Sequence, residues 1–382
     1  MPDGKPGDGG RTPRIHVCAG PGGVGKTTVS AALALALAER GERVVVVTID
    51  PARRLATALG LRELGGEPHM IAPETLKAAG VTPRGELWAM TLDVKRTLDR
   101  LIERLAPDEQ AREEILANRI YRELSSAVAG SHEFSAVAKL YELHHEGRFD
   151  AIVLDTPPSR NALDFLDAPT RLERFLGGRA LAMFLAPGGL AARLIGRSTF
   201  LIFTVFARIA GVDLLGELTT FFRALAGTVD GLRERARSVD ALLRDPDTTS
   251  FLIVTSPELY PAEEAASLRA HLAEQAMPFG GLIVNQAHLH GLDGHTQQDV
   301  TALLAPELGE RLAARVAANL ADFDVLARRD AQSIARLAST VGDPAPTVVP
   351  LLDVEVQDVD SLAKVASHLD AKLFDLTPAA GA

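Results

Sequence analysis

A glycine-rich segment near the amino terminus constrains the fold of this chain more than any other feature. The segment Gly20–Thr28 reads GPGGVGKTT and fits the pattern G-x-x-x-x-G-K-[ST]. Its glycines let successive backbone N–H groups turn toward one anion. An apolar run, Ile15–Ala19, precedes the segment, and a run rich in alanine and leucine, Val29–Arg40, follows it. The order strand, loop and helix therefore predicts a phosphate-binding loop at the start of a helix.

The same loop supplies most of the candidate ligand-binding residues. Lys26 is predicted to reach the β- and γ-phosphates of a nucleotide, and the Thr27 hydroxyl to ligate Mg²⁺. The alternative, a glycine-rich turn with an unrelated lysine, is disfavoured because strand, loop and helix follow in the required order. The residues predicted to surround the phosphates are Gly20, Gly22, Gly23, Val24, Gly25, Lys26, Thr27 and Thr28.

Composition and charge disfavour several classes of protein. A net charge of -10 argues against a nucleic-acid partner, because proteins that bind nucleic acid usually carry a basic face. The single cysteine, Cys18, rules out an internal disulfide and fits a reducing cytoplasm. Residues 1–13 are polar and rich in glycine and proline, so they lack the apolar core of a signal peptide. We expect a cytoplasmic protein, with the inner face of the membrane as a second, peripheral location.

Short apolar runs alternate with helical patterns along the chain. Most of these runs are continuously apolar, which is typical of parallel strands covered by helices on both faces. The alternation predicts an α/β fold with a doubly wound, mainly parallel sheet of the P-loop NTPase type with a deviant Walker A loop. Besides the strand before the loop, the predicted strands are Arg43–Ile49, Leu87–Leu92, Phe149–Asp155, Ser250–Thr255, Gly281–Val284 and Thr347–Pro350.

Two long stretches contain helical patterns and no convincing strand, and they divide the chain into domains. We interpret residues 95–147 and 161–245 as one inserted α-helical subdomain. Flexible tails are expected at residues 1–13 and 376–382. The P-loop ATPase domain then consists of residues 14–94, 148–160 and 246–375.

One part of the proposed insert, Ala180–Ala226, is unusually apolar. Its longest uncharged run ends at Ala192 and contains Pro187, so it is too short for a membrane-spanning helix. The segment predicts either a groove for an apolar client helix or a membrane surface, or the ordinary core of a helical subdomain. An apolar seam at spacings of three and four follows and favours internal packing of a helix. Its residues are Phe222, Leu225, Val229, Leu232, Ala236, Val239 and Leu243.

Two aspartates follow predicted strands and are candidates for the chemistry of a nucleotide switch. Asp155 ends one strand, where an aspartate can hold Mg²⁺, usually through water. Asp50 follows another strand and is placed to orient an attacking water. Either residue alone would also suit a helix cap or a turn, but ligands of such sheets bind at the carboxyl ends of neighbouring parallel strands. The sequence predicts Asp50 and Lys26 as catalytic residues and Thr27 and Asp155 as metal-binding residues.

Three segments together resemble the ArsA ATPase family, which includes arsenite-pump ATPases and chaperone ATPases that deliver tail-anchored membrane proteins. They are Gly20–Thr28, Asp50–Ala52 and Asp155–Pro158, and the resemblance covers most of the chain. The chain looks closest to an actinobacterial branch that occurs as pairs of paralogous subunits. The resemblance implies ATP and Mg²⁺ as cofactors and hydrolysis of ATP by a dimeric switch. The nucleotide state would control binding and release of an apolar client or membrane-protein segment.

The resemblance also implies a site for the adenine base. Asn285 would hydrogen-bond the edge of the base, and the turn at Pro350 and Leu351 would pack on the base. Taken from its residue type alone, Asn285 is equally suited to a turn at the end of a strand. Two other functions stay open: the energising ATPase subunit of an anion transporter, and a ParA/MinD-like positioning ATPase, which shares this phosphate loop.

The chain departs from the family at Pro21, where the family usually carries a signature lysine. In the family's dimers, that lysine reaches the phosphates of the partner subunit, as an arginine finger does. Proline offers neither a charge nor an N–H group. We therefore expect a heterodimer with a paralogous subunit that retains the lysine. The alternative is a slow homodimer that uses another residue, Arg53 or Arg160.

Two further departures concern thiol and metal chemistry. Arsenite activation needs several thiols around one ion, so Cys18 alone makes an arsenite site within this chain implausible. The paired-cysteine zinc motif of the eukaryotic chaperones is absent from the sequence. His288, His290 and His295 lie close together, but no cysteine or well-spaced carboxylate completes a tetrahedral set. We interpret this segment as an exposed loop with incidental histidines.

Overall fold

Apolar, mostly β-branched runs build a sheet of eight strands within the described residues. A computed structural model describes residues 12–49, 54–119, 121–122, 125, 131–157, 167–174, 220–221, 224–289, 292 and 294–374. The strands in chain order are β1 (Arg14–Ala19), β2 (Arg43–Thr48), β3 (His69–Met70), β4 (Glu86–Thr91), β5 (Ala151–Asp155), β6 (Thr249–Thr255), β7 (Phe279–Ala287) and β8 (Thr347–Pro350).

The spatial order of the strands is β3-β4-β2-β5-β1-β6-β7-β8. Every neighbouring pair is parallel except β3 with β4, which is antiparallel at one edge of the sheet. The predicted α/β class with a mainly parallel sheet is therefore confirmed. The sequence analysis missed β3 because two residues are too short for any periodic pattern.

Helices connect the strands and cover both faces of the sheet. We number them α1 (Lys26–Glu39), α2 (Arg54–Ala58), α3 (Pro73–Ala78), α4 (Val94–Leu105), α5 (Glu109–Ala117), α6 (Ser131–Glu146), α7 (Val229–Arg244), α8 (Leu259–Glu274), α9 (Gln297–Leu308), α10 (Glu310–Val341) and α11 (Val359–Ala366). A 3₁₀ turn, Ala371–Leu373, follows the last helix.

Two apolar clusters lie on the two faces of the sheet. The first contains α1 and α11, and the second contains residues of α6, α7, α8 and α10. Strands β5 and β6 are buried at every position, which explains their continuous apolar sequence. Helix α1 is buried almost all round, so its alanines and leucines show no polar face. This burial fixes the start of α1, and with it the glycine loop, against the centre of the sheet.

The helices between β4 and β6 form a third apolar cluster of their own. It includes Ile102 of α4, Ile115 of α5 and Leu232 of α7. Five residues of the predicted seam, from Val229 to Leu243, are the buried residues of α7, so this seam is internal packing. Phe222 and most of Ala180–Ala226 lie outside the described residues. The domain boundaries given above therefore stay a proposal. Within the described part of the chain, no helix combines the length and apolarity needed to cross a bilayer.

His16 lies on β1 in the middle of the sheet and makes folding sensitive to acid. Its side chain is fully buried, and neither ring nitrogen has a hydrogen-bond partner among the described residues. Burial, with a smaller contribution from the Arg14 charge, lowers the pKa of His16 from 6.5 to about 3. Below pH 6.5 the unfolded chain therefore binds a proton that the folded chain does not bind, so stability falls as the pH falls toward 3.

We predict that replacing His16 by Leu removes this pH dependence. Between pH 6.5 and pH 5 the histidine contributes a loss of about 2 kcal/mol in the free energy of unfolding, at ~1.4 kcal/mol per pH unit. Urea unfolding of the wild type and of His16→Leu at both pH values measures the difference. All other titrating groups are common to the two proteins. An equal loss of unfolding free energy between the two pH values in both proteins would therefore contradict the prediction.

Candidate functional site

The glycine loop begins where β1 ends and leads directly into α1. A Cβ atom at Gly20 would lie 1.9 Å from the carbonyl oxygen of Val254 on the neighbouring strand β6. Gly25 caps α1 with φ 83°, a left-handed conformation that favours glycine. At these two positions the backbone turns too tightly, and packs too closely, for a larger residue. The geometry agrees with the close backbone approach that a phosphate requires.

Lys26 lies over the loop that precedes it. Its side chain is 7% exposed, and its Nζ donates a hydrogen bond of 2.6 Å to the carbonyl oxygen of Pro21. The ammonium group also borders a cavity of about 270 Å³ at the start of α1. The cavity is lined by Gly22, Gly23, Gly25, Lys26, Thr27, Arg54 and Thr156. Backbone groups and two cationic side chains therefore line this cavity, which suits a polyanion.

Asp155 ends β5 directly beside the loop. Its Oδ2 atom accepts hydrogen bonds from the hydroxyl groups of Thr27, at 2.7 Å, and of Thr48, at 2.8 Å. The Ser30 hydroxyl lies 3.5 Å from the other carboxylate oxygen, and the Asp155 side chain is 1% exposed. A buried carboxylate next to a threonine hydroxyl is a set of hard oxygen ligands. These residues fit Mg²⁺, which keeps most of its water ligands and needs few from the protein.

Asn285 lies near the end of β7 and contacts the glycine loop across the sheet. Its Nδ2 donates a hydrogen bond of 2.8 Å to the carbonyl oxygen of Val24. A Cβ atom at Gly25 would lie 2.4 Å from this same nitrogen, so the two elements are in close contact. The Asn285 side chain is 7% exposed, and its amide nitrogen holds the loop rather than pointing freely into solvent.

A second cavity, of about 350 Å³, lies beside this contact. Gly25 and Thr28 form one wall, Asn285 and Gln286 another, and the turn at Pro350 a third. The strand ends of β7 and β8 stay together because the backbone N–H of Leu351 donates a 2.9 Å hydrogen bond to the carbonyl oxygen of Ala287. The structure thus brings together all the residues that were predicted for the base and the phosphates.

Several residues of the predicted switch segments lie outside the described residues. They include Asp50, Pro51, Ala52, Arg53, Pro158 and Arg160. Their roles stay predictions.

Sequence reasoning missed three residues of the site. Thr48 is in register with Asp155 on the neighbouring strand, which only strand pairing reveals. Thr156 donates its hydroxyl to the carbonyl oxygen of Cys18 at 2.9 Å and so fixes the segment after β5 to β1. Arg54 lines the phosphate-loop cavity. Its place shortly after Asp50 is the one signal in the sequence that pointed toward it.

Cys18 is buried in the strand before the loop. Burial raises the pKa of its thiol to about 12, so the thiol stays protonated. Among the described residues, no three His, Cys, Asp or Glu side chains are grouped so that they would hold a metal ion. His288 instead pairs with Asp330, and His290 lies outside the described part of the chain. The interpretation of the segment as an exposed loop with incidental histidines is therefore wrong for His288, because its ring is partly buried and bonded to a buried carboxylate.

Comparison with known proteins agrees with this geometry. The sequence model for the anion-transporting ATPase (ArsA) family matches residues 13–302. ATPase ARSA2 of Chlamydomonas reinhardtii is 30% identical over 269 residues, which are 70% of this chain and 66% of that protein. ATPase GET3C of Arabidopsis thaliana is 28% identical over 72% of this chain and 66% of its own length. ATPase GET3 of Rhodotorula glutinis is 28% identical over 70% of this chain and 68% of its own length.

The chain spans slightly less than two thirds of the length of the first two of these relatives. Because the family match covers most of the chain and begins just before β1, it includes the loop, Asp155 and Asn285. The glycine loop, the buried Asp155 and strands β1 to β7 all lie within this one contiguous match, whereas β8 and the turn at Pro350 lie beyond it. This chain is a member of the ArsA family of anion-transporting ATPases.

Proposed function

We propose that the protein is a Mg²⁺-dependent ATPase that works as a dimeric switch. In this proposal its nucleotide state controls the binding and release of an apolar client or membrane-protein segment. The observation that carries the proposal is the convergence of Lys26, Thr27 and Asp155 at one buried loop. Family membership supports ATP as the nucleotide.

In this proposal, each residue of the site has its own role. The loop amides and Lys26 bind the phosphates, and Lys26 exchanges the Pro21 carbonyl for a phosphate oxygen. Thr27 and Asp155 hold Mg²⁺, the second through water. Mg²⁺ held by these residues would supply positive charge against the phosphate oxygens. Asp50 orients the attacking water, and Asn285 with the turn at Pro350 and Leu351 holds the base.

In this proposal, Asp155 transmits changes of nucleotide state toward the client-binding part of the protein. Its carboxylate is bonded to Thr27 of the loop and to Thr48 at the end of β2, so it connects both strands that lead out of the site. Thr156 and Pro157 then lead toward the helical residues 167–174. Contacts of a γ-phosphate and its Mg²⁺ order such segments, and hydrolysis releases them. The client itself is inferred from the family resemblance and from the apolar segment Ala180–Ala226.

A second candidate function is the energising ATPase subunit of an anion transporter. The description of the matching family, anion-transporting ATPase, favours it. No comparable observation favours a ParA/MinD-like positioning ATPase. The two favoured functions share the same nucleotide chemistry and differ in what the dimer binds.

The test of the nucleotide site is ATP binding by calorimetry with Mg²⁺ present. We predict that Lys26→Ala weakens binding by about 10- to 100-fold, because a charge-assisted hydrogen bond to phosphate contributes about 1.5–3 kcal/mol. Lys26→Arg keeps the charge but changes the shape of the cation. Its ATP affinity is expected to lie between those of the wild type and Lys26→Ala. Circular dichroism checks that each variant is folded. Equal affinities of the wild type and Lys26→Ala would reject the assigned role.

A further inference from the structure

A buried carboxylate on α10 contacts the loop that follows β7. Asp330 is 1% exposed and lies in the second half of the 32-residue helix α10. Its Oδ2 accepts two hydrogen bonds from His288, from the backbone N–H at 3.0 Å and from Nδ1 at 2.7 Å. Its Oδ1 accepts two from the Arg329 guanidinium, at 3.1 and 2.8 Å. All these bonds are charge-assisted, since the acceptor is a carboxylate.

The charge on Asp330 survives its burial because of these bonds. Burial by itself raises the pKa of the carboxyl group, and the bonds from His288 and Arg329 outweigh it, so the pKa lies below its ordinary value. A buried carboxylate is costly unless it is paired and hydrogen-bonded. Asp330 therefore stays charged through bonds from its neighbour Arg329 and from His288, and His288 belongs to the loop after β7.

The end of β7 needs a restraint because its backbone is strained. Gln286 has φ 61°, which is unusual for a residue other than glycine and costs on the order of 1 kcal/mol or more. The pairing of β7 with β8 is irregular at this point, between Val284 and Ala287. The turn is held from one side by the bond from Leu351 to Ala287 and from the other by the bonds from His288 to Asp330.

Asp330 is not needed to attach α10 to the rest of the protein. The Ser333 hydroxyl donates a 2.5 Å hydrogen bond to the carbonyl oxygen of Pro257. At the end of the helix, Arg269 donates to the carbonyl oxygen of Val341 at 3.1 Å. The apolar side chains of Leu337 and Val341 are buried in the second cluster. Since these contacts hold the helix independently, the bonds of Asp330 act mainly on the loop.

We propose that Asp330 is a positioning residue for the nucleoside end of the site. Through His288 it holds the end of β7 in place, so that Asn285 stays against the glycine loop and beside the cavity at Pro350. The inference rests on the proposed nucleotide function. It implies that α10 affects binding of the base, although α10 lines neither of the two cavities described above.

The experiment compares two ligands that share the phosphates but not the base. Binding of ATP and of inorganic tripolyphosphate, each with Mg²⁺, is measured by calorimetry for the wild type and Asp330→Ala. We expect ATP to bind at least about 10-fold more weakly to the variant, with tripolyphosphate binding changed by less than about 2-fold. Asp330→Asn keeps one acceptor oxygen and is expected to lose less.

Asp324→Ala is the matched control. Asp324 is also a buried carboxylate on α10, 5% exposed, and it pairs with Arg328 one turn further along the same helix. This variant is expected to leave the ratio of the two affinities unchanged. If Asp330→Ala does not fold, His288→Ala takes its place, because it removes the Nδ1 donor and keeps the backbone bond.

The outcomes separate this inference from the proposed function. Equal weakening of both ligands by the Asp330 variants, or a ratio that does not change, overturns the positioning role. A wild type that binds neither ligand rejects the proposed function instead. If the wild type binds ATP but not tripolyphosphate, a larger loss of ATP affinity in Asp330→Ala than in Asp324→Ala supports the inference, and equal losses reject it.

Discussion

Adding a lysine-bearing paralogous subunit is expected to raise the ATPase rate of this chain by about 10³–10⁵-fold, taking an arginine finger as the scale. The reason lies at Pro21, which has no side-chain charge, and whose carbonyl oxygen accepts the bond from Lys26. A homodimer would lack the cross-subunit cation at both sites. The measurement is the steady-state ATPase rate of the purified chain, alone and with an equimolar amount of the paralogue. Equal rates would contradict the heterodimer.

The competing explanation is that this chain supplies the missing charge itself. Arg53 and Arg160 were the sequence-based candidates, and both lie outside the described residues. The structure adds Arg54, which lines the phosphate-loop cavity together with Lys26. If the chain hydrolyses ATP rapidly alone, Arg54→Ala decides between the explanations, with Arg62→Ala as an exposed control on the same connection. A loss confined to the Arg54 variant would favour the homodimer.

Replacing Asp50 by Asn is expected to lower turnover by about 10²–10⁴-fold, the range of general acid–base catalysis, while ATP binding is retained. The amide has nearly the shape of the carboxylate but does not accept the proton of the attacking water. Strand β2 ends two residues before Asp50, at Thr48, which is in register with Asp155 and hydrogen-bonded to it. ATP affinity by calorimetry and single-turnover hydrolysis, measured on the same preparation, check the two halves of this prediction.

Retained hydrolysis in Asp50→Asn would remove Asp50 from the mechanism. If hydrolysis is lost, the variant with ATP is also the form in which to identify the client. Proteins that co-purify with it, compared with those bound to Lys26→Ala, separate the two proposed functions. Several proteins with apolar segments would favour the chaperone function, and a single integral channel would favour the transporter.

The phosphate loop and the sheet class were predictable because their signals are local in the chain. The glycines, Lys26 and Thr27 lie in one short segment between an apolar strand and an apolar helix, and the structure places them accordingly. Six further strands were predicted close to their observed positions, since buried strands read as continuous apolar runs. The end of β7 was not predictable, because its irregularity depends on the pairing with β8.

The remaining contacts of the site join residues that are far apart in sequence. Asn285 bonds to Val24 across 261 positions, and Thr27 bonds to Asp155 across 128. The motifs predicted that Thr27 and Asp155 serve one metal, but the hydrogen bonds themselves exist only once the sheet sets the strand order and register. The sequence by itself predicted a polyanion site at the start of α1, through local backbone geometry and one lysine. Only the tertiary structure decided which distant groups support that loop, since long-range hydrogen bonds such as that of Asn285 to Val24 form through packing.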